Sequence, residues 1–426
     1  MKIALITMGT WGDVMPFLAL ARGLEKAGYD ITFATVMDFE DRVRELGFAY
    51  VPIHFSFHEY VHSDECKASL AGSITATRRH QKNFFRKRRQ MLEDAWKAAR
   101  GAEAIIFNPV AFPAYHMAEK LKIPCIMTSS TPCLSPTRAF PYMFVTSNHL
   151  GGFLNRLTYE FHRLGTNSER KIVSQWCRET LDTNPPRPFM NYLRMNGRRV
   201  PILYLYSPKM VPSPSDWPKT TLASHYWYLD QESRWQPPAG LEAFLFRGPA
   251  PVYVGFGSMV GTDPEAMTRI VVSALETSGE RGVICTGSGA MAKPNKPPET
   301  LYFIDSIPHD WIFPRVKAVV HHAGAGTVWS GLRYGKPTLA CPIAVDQWFW
   351  ARRIHQLGVG PPHLSQRPLK KFTADKLAQG IQTMVDDKAM QQRAEALGKE
   401  LEKEDGEGKA VEFINRQIET WQNYLT

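Results

Sequence analysis

Three apolar runs of strand length in this chain each lead into a short glycine turn that opens a helical pattern. The runs are residues 2–7, 251–254 and 318–320, and the turns that follow them are residues 9–13, 255–259 and 323–327. A strand, a glycine turn and a helix in this order form the opening unit of a doubly wound parallel sheet. The repeated unit therefore predicts an α/β protein.

The rhythm of these units divides the chain into two parts. Prolines crowd between residues 208 and 251, and the strand and helix pattern restarts after them. A chain of 426 residues is long enough for two domains with separate cores. We predict a Rossmann-like domain at residues 1–215, a second one at residues 216–395, and a charged helical tail at residues 396–426.

Composition limits the class of protein. The chain is 44% hydrophobic and 22% charged, which is typical of a soluble globular protein. No apolar run approaches the roughly 20 residues that a membrane-spanning helix needs, and residues 2–7 are too short for the apolar part of a signal peptide. The six cysteines include no Cys-x-x-Cys pair, which favours reduced thiols and a cytoplasmic protein.

Positive charge is concentrated in the first half of the chain. Of the net charge of +10, residues 1–200 carry +9, and seven Lys or Arg residues without an acid fall between Arg78 and Arg89. This segment is either a solvated helix face or a helix that touches anionic lipid headgroups, which would make the protein peripheral to a membrane. Nucleic acid is disfavoured, because no recognition motif accompanies the segment.

A second segment of the first half is rich in aromatic residues and glycine. Residues 140–165 show no metal-ligand spacing. Their side chains could line an apolar acceptor site, but packing on the sheet is favoured because aromatic stretches more often belong to a core.

Residues 318–353 carry the pattern with the most chemical content. A turn of small residues at a helix N-terminus presents bare amides and the positive end of the helix dipole to an anion, here a pyrophosphate. His322, at the end of the strand, could add a further donor. An ordinary tight turn is the alternative, but the Asp346-Gln347 pair follows the next strand, at the sheet edge where open α/β folds bind ligands.

Other nucleotide-binding classes lack their motifs here. No turn is a full Gly-x-Gly-x-x-Gly fingerprint with an acid about 20 residues further on, which disfavours a nicotinamide dehydrogenase. The chain contains neither a Gly-x-x-x-x-Gly-Lys-Ser/Thr loop nor an Asp-x-Asp pair, so a P-loop ATPase and the simplest acidic cradle for a metal-bound diphosphate are both disfavoured.

Taken together, the motifs resemble a known family. Residues 320–352 resemble the donor-binding signature of inverting UDP-glycosyltransferases with the two-Rossmann, B-type fold, in particular the sterol glucosyltransferase branch and its bacterial relatives that act on lipids and natural products. Residues 9–17, Gly-Thr-Trp-Gly-Asp-Val-Met-Pro-Phe, resemble that branch's opening motif. Further likeness runs from residues 107–109 through residues 137–141 and returns at residues 255–259 and 308–314. The resemblance implies two domains that face each other across a cleft, with the C-terminal helix returning to the first domain.

The resemblance also implies roles for individual residues on the donor side. It places Gly257 and Ser258 at the diphosphate, the backbone at Ser306, Ile307 and His309 at the uracil edge, and Asp346 and Gln347 at the hydroxyls of the donor sugar, with glucose expected. The phosphates themselves would be held by His322, Gly324, Ala325, Gly326 and Thr327. This arrangement implies no metal and no cofactor, since the UDP-sugar is a substrate.

On the acceptor side, the resemblance makes Asp13 the general base. Many members of the wider superfamily have a histidine at this place, and Asp is the form of the sterol branch. Gly9, Thr10, Trp11 and Asn108 would surround the acceptor. Without the resemblance, Asp13 would be interpreted as the N-cap of the first helix. Trp11 and Ala323 depart from the family's usual arginine and glycine.

The predicted function is the transfer of a hexose from a UDP-sugar to the hydroxyl of a lipophilic acceptor, such as a sterol, a lipid or a polyketide, with inversion. Two alternatives stay open. One is a sugar-nucleotide epimerase of the same fold, and the other is a catalytically silent protein that binds a sugar nucleotide or a lipid.

Overall fold

The computed structural model describes residues 1–70, 72–147, 149–161, 169–184, 194–195, 197–229, 235–257 and 263–425. The chain forms two compact units. The first consists of Met1–Tyr60, Ile74–Leu229 and Asp405–Thr426, and the second consists of Val61–Ser73 and Asp230–Glu404. The sequence predicts domain boundaries at residues 215 and 395. In the structure the first unit ends at Leu229 and resumes at Asp405.

The first unit is built on a parallel sheet of seven strands in the order β3-β2-β1-β4-β5-β8-β9. A short antiparallel pair, β6 and β7, precedes β8. The strands are β1 (Lys2–Ile6), β2 (Asp30–Val36), β3 (Ala49–Ile53), β4 (Ala104–Phe107), β5 (Cys125–Ser129), β6 (Arg194–Met195), β7 (Arg198–Arg199), β8 (Ile202–Tyr204) and β9 (Thr221–Ala223).

Helices connect and cover these strands. They are α1 (Trp11–Lys26), α2 (Glu40–Glu45), α3 (Phe57–His62), α5 (Ile74–Ala99), α6 (Ala114–Leu121), α7 (Gly152–Thr158), α8 (Arg170–Trp176) and, at the C-terminus, α16 (Gly406–Leu425). Between α3 and α5 the chain forms α4 (Asp64–Leu70), which belongs to the second unit. Strands β1 and β4 lie in the middle of the sheet, and their almost uninterrupted apolar sequences follow from burial on both faces.

The second unit is built on a parallel sheet of five strands in the order β12-β11-β10-β13-β14. The strands are β10 (Val252–Gly255), β11 (Gly282–Cys285), β12 (Leu301–Ile304), β13 (Ala318–His321) and β14 (Thr338–Ala340). The helices are α9 (Ala239–Phe246), α10 (Pro264–Thr277), α11 (His309–Ile312), α12 (Ala325–Arg333), α13 (Gln347–Gln356), α14 (Ala374–Asp386) and α15 (Lys388–Glu402).

Alternate residues of these strands face two separate cores. Val252, Val254 and Val320 belong to the core that α10 and α14 cover. Tyr253 and Val319 face the opposite side, where α9 and α11 pack. Because both faces of the sheet are covered, the unit has the layered architecture that the sequence predicts.

The predicted α/β class, with two Rossmann-like parallel sheets, is confirmed. The C-terminal helix α16 belongs to the first unit, where the Tyr29 hydroxyl donates a hydrogen bond of 2.7 Å to Asn415 Oδ1. The sequence pattern predicts no strand at β6, β7, β9 or β12. Within the described ranges, no helix is both long and apolar enough to cross a membrane.

Candidate active site

The carboxyl ends of the parallel strands in the second unit bring the predicted donor residues to one edge of the sheet. Residues 306–309 follow β12, Gly257 follows β10, residues 322–326 follow β13, and Asp346 follows β14. Four strand spacings separate β12 from β14, or roughly 19 Å. An extended ligand along this edge can therefore contact the turn after β12 at one end, the turns after β10 and β13 in the middle, and the turn after β14 at the other end.

The turn after β13 presents the start of a helix. Gly324 is the N-cap of α12, and its conformation is extended, with no side chain that caps the first turn. The amides of Ala325, Gly326 and Thr327 occupy that turn, where a helix lacks its own acceptors. An N-terminus of this kind binds phosphate through backbone N–H groups and the helix dipole.

The His322 ring lies against two glycines in this turn. A Cβ atom on Gly324 would overlap the His322 Nε2 atom, and a Cβ on Gly257, whose φ is 66°, would lie 2.7 Å from His322 Cε1. The register Gly255↔His321 explains the proximity of the two turns, since β10 and β13 are neighbours. Both glycines therefore leave room for the imidazole as well as for a ligand.

The preceding histidine, His321, shapes the same turn. It is fully buried, and its Nδ1 accepts a hydrogen bond of 2.9 Å from the Ala323 amide. That bond accompanies a left-handed backbone at Ala323, where φ is 64°. No motif in the sequence gives His321 a role, and the His-His pair at the strand end is the one local signal that points to it.

Burial makes His322 a neutral side chain. It lowers the pKa of His322 to about 4, with a smaller contribution from His309, and it holds the pKa of His321 well below its ordinary value. The Nδ1 atom of His322 is buried without a hydrogen-bond partner in the described parts of the chain. At neutral pH this imidazole can donate or accept a hydrogen bond, but it adds no charge to the turn.

The turn after β14 uses one of its two predicted residues internally. Gln347 is buried, and its Oε1 accepts hydrogen bonds from the amides of Ile343 at 2.7 Å and Ala344 at 3.0 Å. The carbonyl end of Gln347 therefore fixes the loop. Asp346 is the N-cap of α13, and Val345 before it has a φ of 54°, which is strained for a β-branched residue.

The segment after β12 is anchored by apolar contacts. Ile307 is buried in the core beside Trp311, and Ser306 is exposed. The His309 ring stacks on Phe313, with centroids 4.5 Å apart, and burial lowers the pKa of His309 to about 4. The remaining donor residue of the prediction, Ser258, lies outside the described residues.

In the first unit, Asp13 lies at the carboxyl end of β1. The turn predicted at residues 9–13 is shorter in the structure, because α1 begins at Trp11 and Thr10 is its N-cap. Asp13 is the third residue of the helix, and its Oδ2 accepts a hydrogen bond of 2.9 Å from the Thr10 amide. The Thr-x-x-Asp spacing gives both residues a place in the cap of the helix.

The environment of Asp13 opposes its ionisation. Burial raises the pKa of Asp13 to about 6, although the hydrogen bonds from Thr10 act in the opposite direction. The pKa of Tyr226 is raised mainly by burial, and the charge of the Asp13 carboxylate raises it further. No local pattern in the sequence predicts a role for Tyr226, because it lies more than 200 residues from Asp13 along the chain. A carboxylate with a pKa this near neutrality is a better proton acceptor than an exposed one.

Gly9 and Trp11 flank Asp13. A Cβ on Gly9 would overlap the Asp13 carboxylate, so only glycine fits there. The Trp11 side chain is 52% exposed, and its ring lies 5.9 Å from that of Phe39. This exposure leaves Trp11 available to a ligand.

Asn108 holds the loop before Asp13. It is buried, its Nδ2 donates to the Met8 carbonyl at 2.7 Å, and its Oδ1 accepts from the Met8 amide at 3.2 Å. The same Oδ1 accepts from the Ala111 amide at 3.1 Å. These contacts make Asn108 a positioning residue for the turn after β1.

The basic segment between Arg78 and Arg89 lies on α5, and not all of it faces solvent. Arg88 is fully buried, where it bonds to Glu169 at 2.8 Å and to the Val110 carbonyl at 2.7 Å. Its Nη1 lies 3.5 Å from Met8 Sδ. Arg89 pairs with Glu179. Two of the seven cations therefore serve the fold, and Arg88 supports the loop that precedes Asp13.

The two sheets, with a helix N-terminus at a carboxyl-end turn, define a protein of the two-Rossmann class. Two family models match the chain: the glycosyltransferase family 28 N-terminal domain at residues 3–135, and the erythromycin biosynthesis protein CIII-like, C-terminal domain at residues 279–411. The chain belongs to the glycosyltransferases with the two-Rossmann, B-type fold, as the sequence predicts.

Individual relatives agree with this assignment. A sterol 3-beta-glucosyltransferase of Arabidopsis thaliana is 35% identical over 98% of this chain and 66% of its own length. A sterol 3-beta-glucosyltransferase of Emericella nidulans is 33% identical over 98% of this chain and 30% of its own. The solved glycotransferase of kitacinnamycin superposes with a TM-score of 0.70 at 19% identity, over 98% of both chains, which shows the fold. The chain thus spans about two thirds of the plant relative and less than a third of the fungal one.

Proposed function

We propose that this protein transfers a hexose, with glucose expected, from a UDP-sugar to the hydroxyl group of a lipophilic acceptor. The turn after β13 carries the proposal, because its helix N-terminus and the cradled His322 offer neutral donors to a diphosphate. The similarity to two sterol 3-beta-glucosyltransferases supports a sterol-like acceptor and glucose as the sugar.

In the proposed reaction the acceptor oxygen attacks the anomeric carbon from the face opposite the diphosphate. A new carbon–oxygen bond forms, the bond from the anomeric carbon to the phosphate oxygen breaks, and its electron pair leaves with UDP. The hydroxyl proton passes to the Asp13 carboxylate. Attack from the opposite face inverts the anomeric centre, so an α-linked donor yields a β-glycoside.

The acidity of Asp13 suits this role. A base works best when its pKa is near the operating pH, and burial brings the pKa of Asp13 to about 6. At neutral pH the carboxylate is largely ionised, and it is still a stronger base than an ordinary aspartate. Asn108 and Arg88 would act indirectly, because both hold Met8 in the loop before Asp13.

The leaving diphosphate would be stabilised by the start of α12. The amides of its first turn and the His322 side chain would hydrogen-bond to the phosphate oxygens as their charge grows. Asp346 and the amide group of Gln347 would bind the sugar hydroxyls, while the backbone around Ser306 would meet the uracil. We propose that the stabilisation needs no metal ion.

The decisive experiment measures UDP release from UDP-glucose with and without a panel of sterols, in parallel with dTDP-glucose and with EDTA. We expect release that depends on a sterol and persists in EDTA, and a β-linked product by NMR. A changed sugar without transfer would instead identify an epimerase. Tight donor binding without any product would identify a silent binding protein.

A further inference from the structure

Helix α7 in the first unit has its polar side inward and its apolar side outward. Asn155 and Thr158 are buried, whereas Phe153, Leu154 and Leu157 are exposed, with Phe153 at 79%. A surface helix of a globular protein normally has the opposite arrangement. The sequence favours packing of this aromatic segment on the sheet, and the exposure of these side chains contradicts that expectation for α7.

Hydrogen bonds hold the helix in this orientation. Asn155 Nδ2 donates to the Arg138 carbonyl, and Asn155 Oδ1 accepts from the Leu150 amide, both at 2.9 Å. Thr158 Oγ1 accepts from the Tyr142 amide at 2.7 Å. The inward polar side chains are therefore hydrogen-bonded. Rotating the helix to bury its apolar face would break these hydrogen bonds, so the outward apolar face is part of the fold.

Exposed apolar side chains also flank the helix along the chain. Phe144 and Leu150 before it, and Phe161 after it, are also exposed. We call the six exposed side chains of Phe144, Leu150, Phe153, Leu154, Leu157 and Phe161 the α7 patch. A concentration of large apolar side chains on one surface segment marks an interaction site.

A cavity with positive walls adjoins the patch. Its volume is about 370 Å³, and Arg156 of α7, Arg194 of β6 and Arg199 of β7 all line it. Arg156 is near enough to Asp216, which lines the same cavity, to act on it electrostatically: its charge adds to the hydrogen bonds from Thr137 and the Arg138 amide that lower the pKa of this carboxyl. The carboxylate that lines the same cavity, Asp216, already accepts hydrogen bonds from Thr137 Oγ1 at 2.5 Å and from the Arg138 amide at 2.8 Å.

The cavity is separate from the turn that carries Asp13. Among its lining residues, Ile202 is the first residue of β8 and Thr221 is the first residue of β9. The cavity thus lies at the amino ends of strands whose carboxyl ends share an edge with the Asp13 turn, because all seven strands are parallel. This part of its lining lies at the opposite edge of the same sheet, and residues 134–136, which follow β5, complete the lining.

We infer that the α7 patch and the arginine-lined cavity together dock this unit on an anionic phospholipid bilayer. Aromatic and aliphatic side chains enter the boundary between headgroups and acyl chains, and arginines bind lipid phosphates beside them. A free phosphate ion would use the arginines but not the apolar patch. A second copy of the chain in a two-fold pair would bring like-charged arginines together, at the cost of repulsion.

The test is co-sedimentation of the full chain with vesicles of phosphatidylcholine alone and of phosphatidylcholine with phosphatidylserine. We expect binding only to the anionic vesicles. Replacing Arg156, Arg194 and Arg199 by Gln should weaken that binding on the order of a hundredfold, since each basic residue near an anionic surface contributes about 1 kcal/mol. The double variant Phe153→Ser, Leu157→Ser should weaken it about tenfold or more.

Two control variants separate this surface from charge or hydrophobicity in general. The triple variant Arg79→Gln, Lys82→Gln, Arg86→Gln removes the same charge from exposed positions of α5, and Phe246→Ser removes a side chain that is 90% exposed elsewhere. Both should bind like the parent protein. An equal loss in the α5 variant, full binding by the α7 variants, or no preference for anionic vesicles would overturn the inference.

Discussion

The turns after β1 and β13 are built on the same plan, yet they differ in charge. Each follows a buried parallel strand and opens a helix. The β1 turn places an ionisable carboxylate in the first turn of α1, whereas the β13 turn leaves the first amides of α12 uncapped and adds a neutral histidine. One supersecondary unit can therefore present either a proton acceptor or a set of anion-binding donors.

Glycine has a different neighbour in each turn. In the first unit, the absence of a side chain at Gly9 makes room for the Asp13 carboxylate. In the second, Gly257 and Gly324 make room for the His322 ring. The glycines thus place one functional side chain in each turn, in addition to letting a ligand approach the backbone.

The largest effect should come from Asp13→Asn. Loss of the proton acceptor should lower kcat by about a thousandfold, within the range for a general base, with little change in the affinity for the donor. Steady-state kinetics with UDP-glucose and a sterol, together with calorimetric titration of UDP, measure both quantities. An unchanged kcat would reduce Asp13 to its helix-capping role.

The same variant should be more stable than the parent protein above pH 6. The pKa of Asp13 is raised in the folded state from the ordinary 3.8 to about 6, so its ionisation lowers stability as the pH rises through this window. Asn removes the charge and can still accept from the Thr10 amide. We expect a gain in the free energy of unfolding of about 1–3 kcal/mol at pH 8 by urea denaturation. A loss of stability would mean that the carboxylate is stabilised by its surroundings.

The pH dependence of the reaction distinguishes the two turns next. Because the base must be ionised, kcat/KM should fall about tenfold per pH unit below a pKa near 6. His322 should add no limb there, since its pKa is about 4 and it is already neutral. A pH series with a constant ionic strength measures the profile, and a limb near pH 4 alone would contradict the raised pKa of Asp13.

A smaller effect should follow from Gly257→Ala. The added methyl group would displace the His322 ring and strain a backbone with a φ of 66°. Loss of one hydrogen bond to a charged diphosphate should weaken UDP binding about tenfold to a hundredfold, as titration calorimetry would show.

Gly331→Ala on α12 is the matched control. A Cβ there would meet Thr338 Oγ1 at 3.5 Å, an ordinary contact. UDP binding should be unchanged, because the methyl group is remote from His322. Equal losses in the two variants would show that the second unit tolerates no added methyl group, and the specific role of Gly257 would fail.

Much of this arrangement follows from local sequence, and the remainder depends on contacts between distant residues. The strand and helix pattern predicts β1, β10 and β13 because each is apolar over its length. The pairing of Asn108 with Met8, 100 residues away, leaves no local pattern. Arg88 shows why charge patterning can mislead, since a cation in a basic run is buried when Glu169 and a carbonyl group compensate it.

Backbone strain gives the smallest and most local test of the second unit. Val345 is 62% exposed and has a φ of 54°. Replacing it by glycine therefore removes little packing, and it relieves the backbone strain of a β-branched residue at this φ. Val345→Gly should raise the free energy of unfolding by about 1 kcal/mol. If the strained residue aims Asp346 at the sugar, the KM for UDP-glucose should rise several-fold while UDP affinity stays constant. If the variant is more stable but its KM is unchanged, the strain at Val345 plays no part in sugar binding. The β13 turn would then be the part of this sheet edge that determines the affinity for the donor.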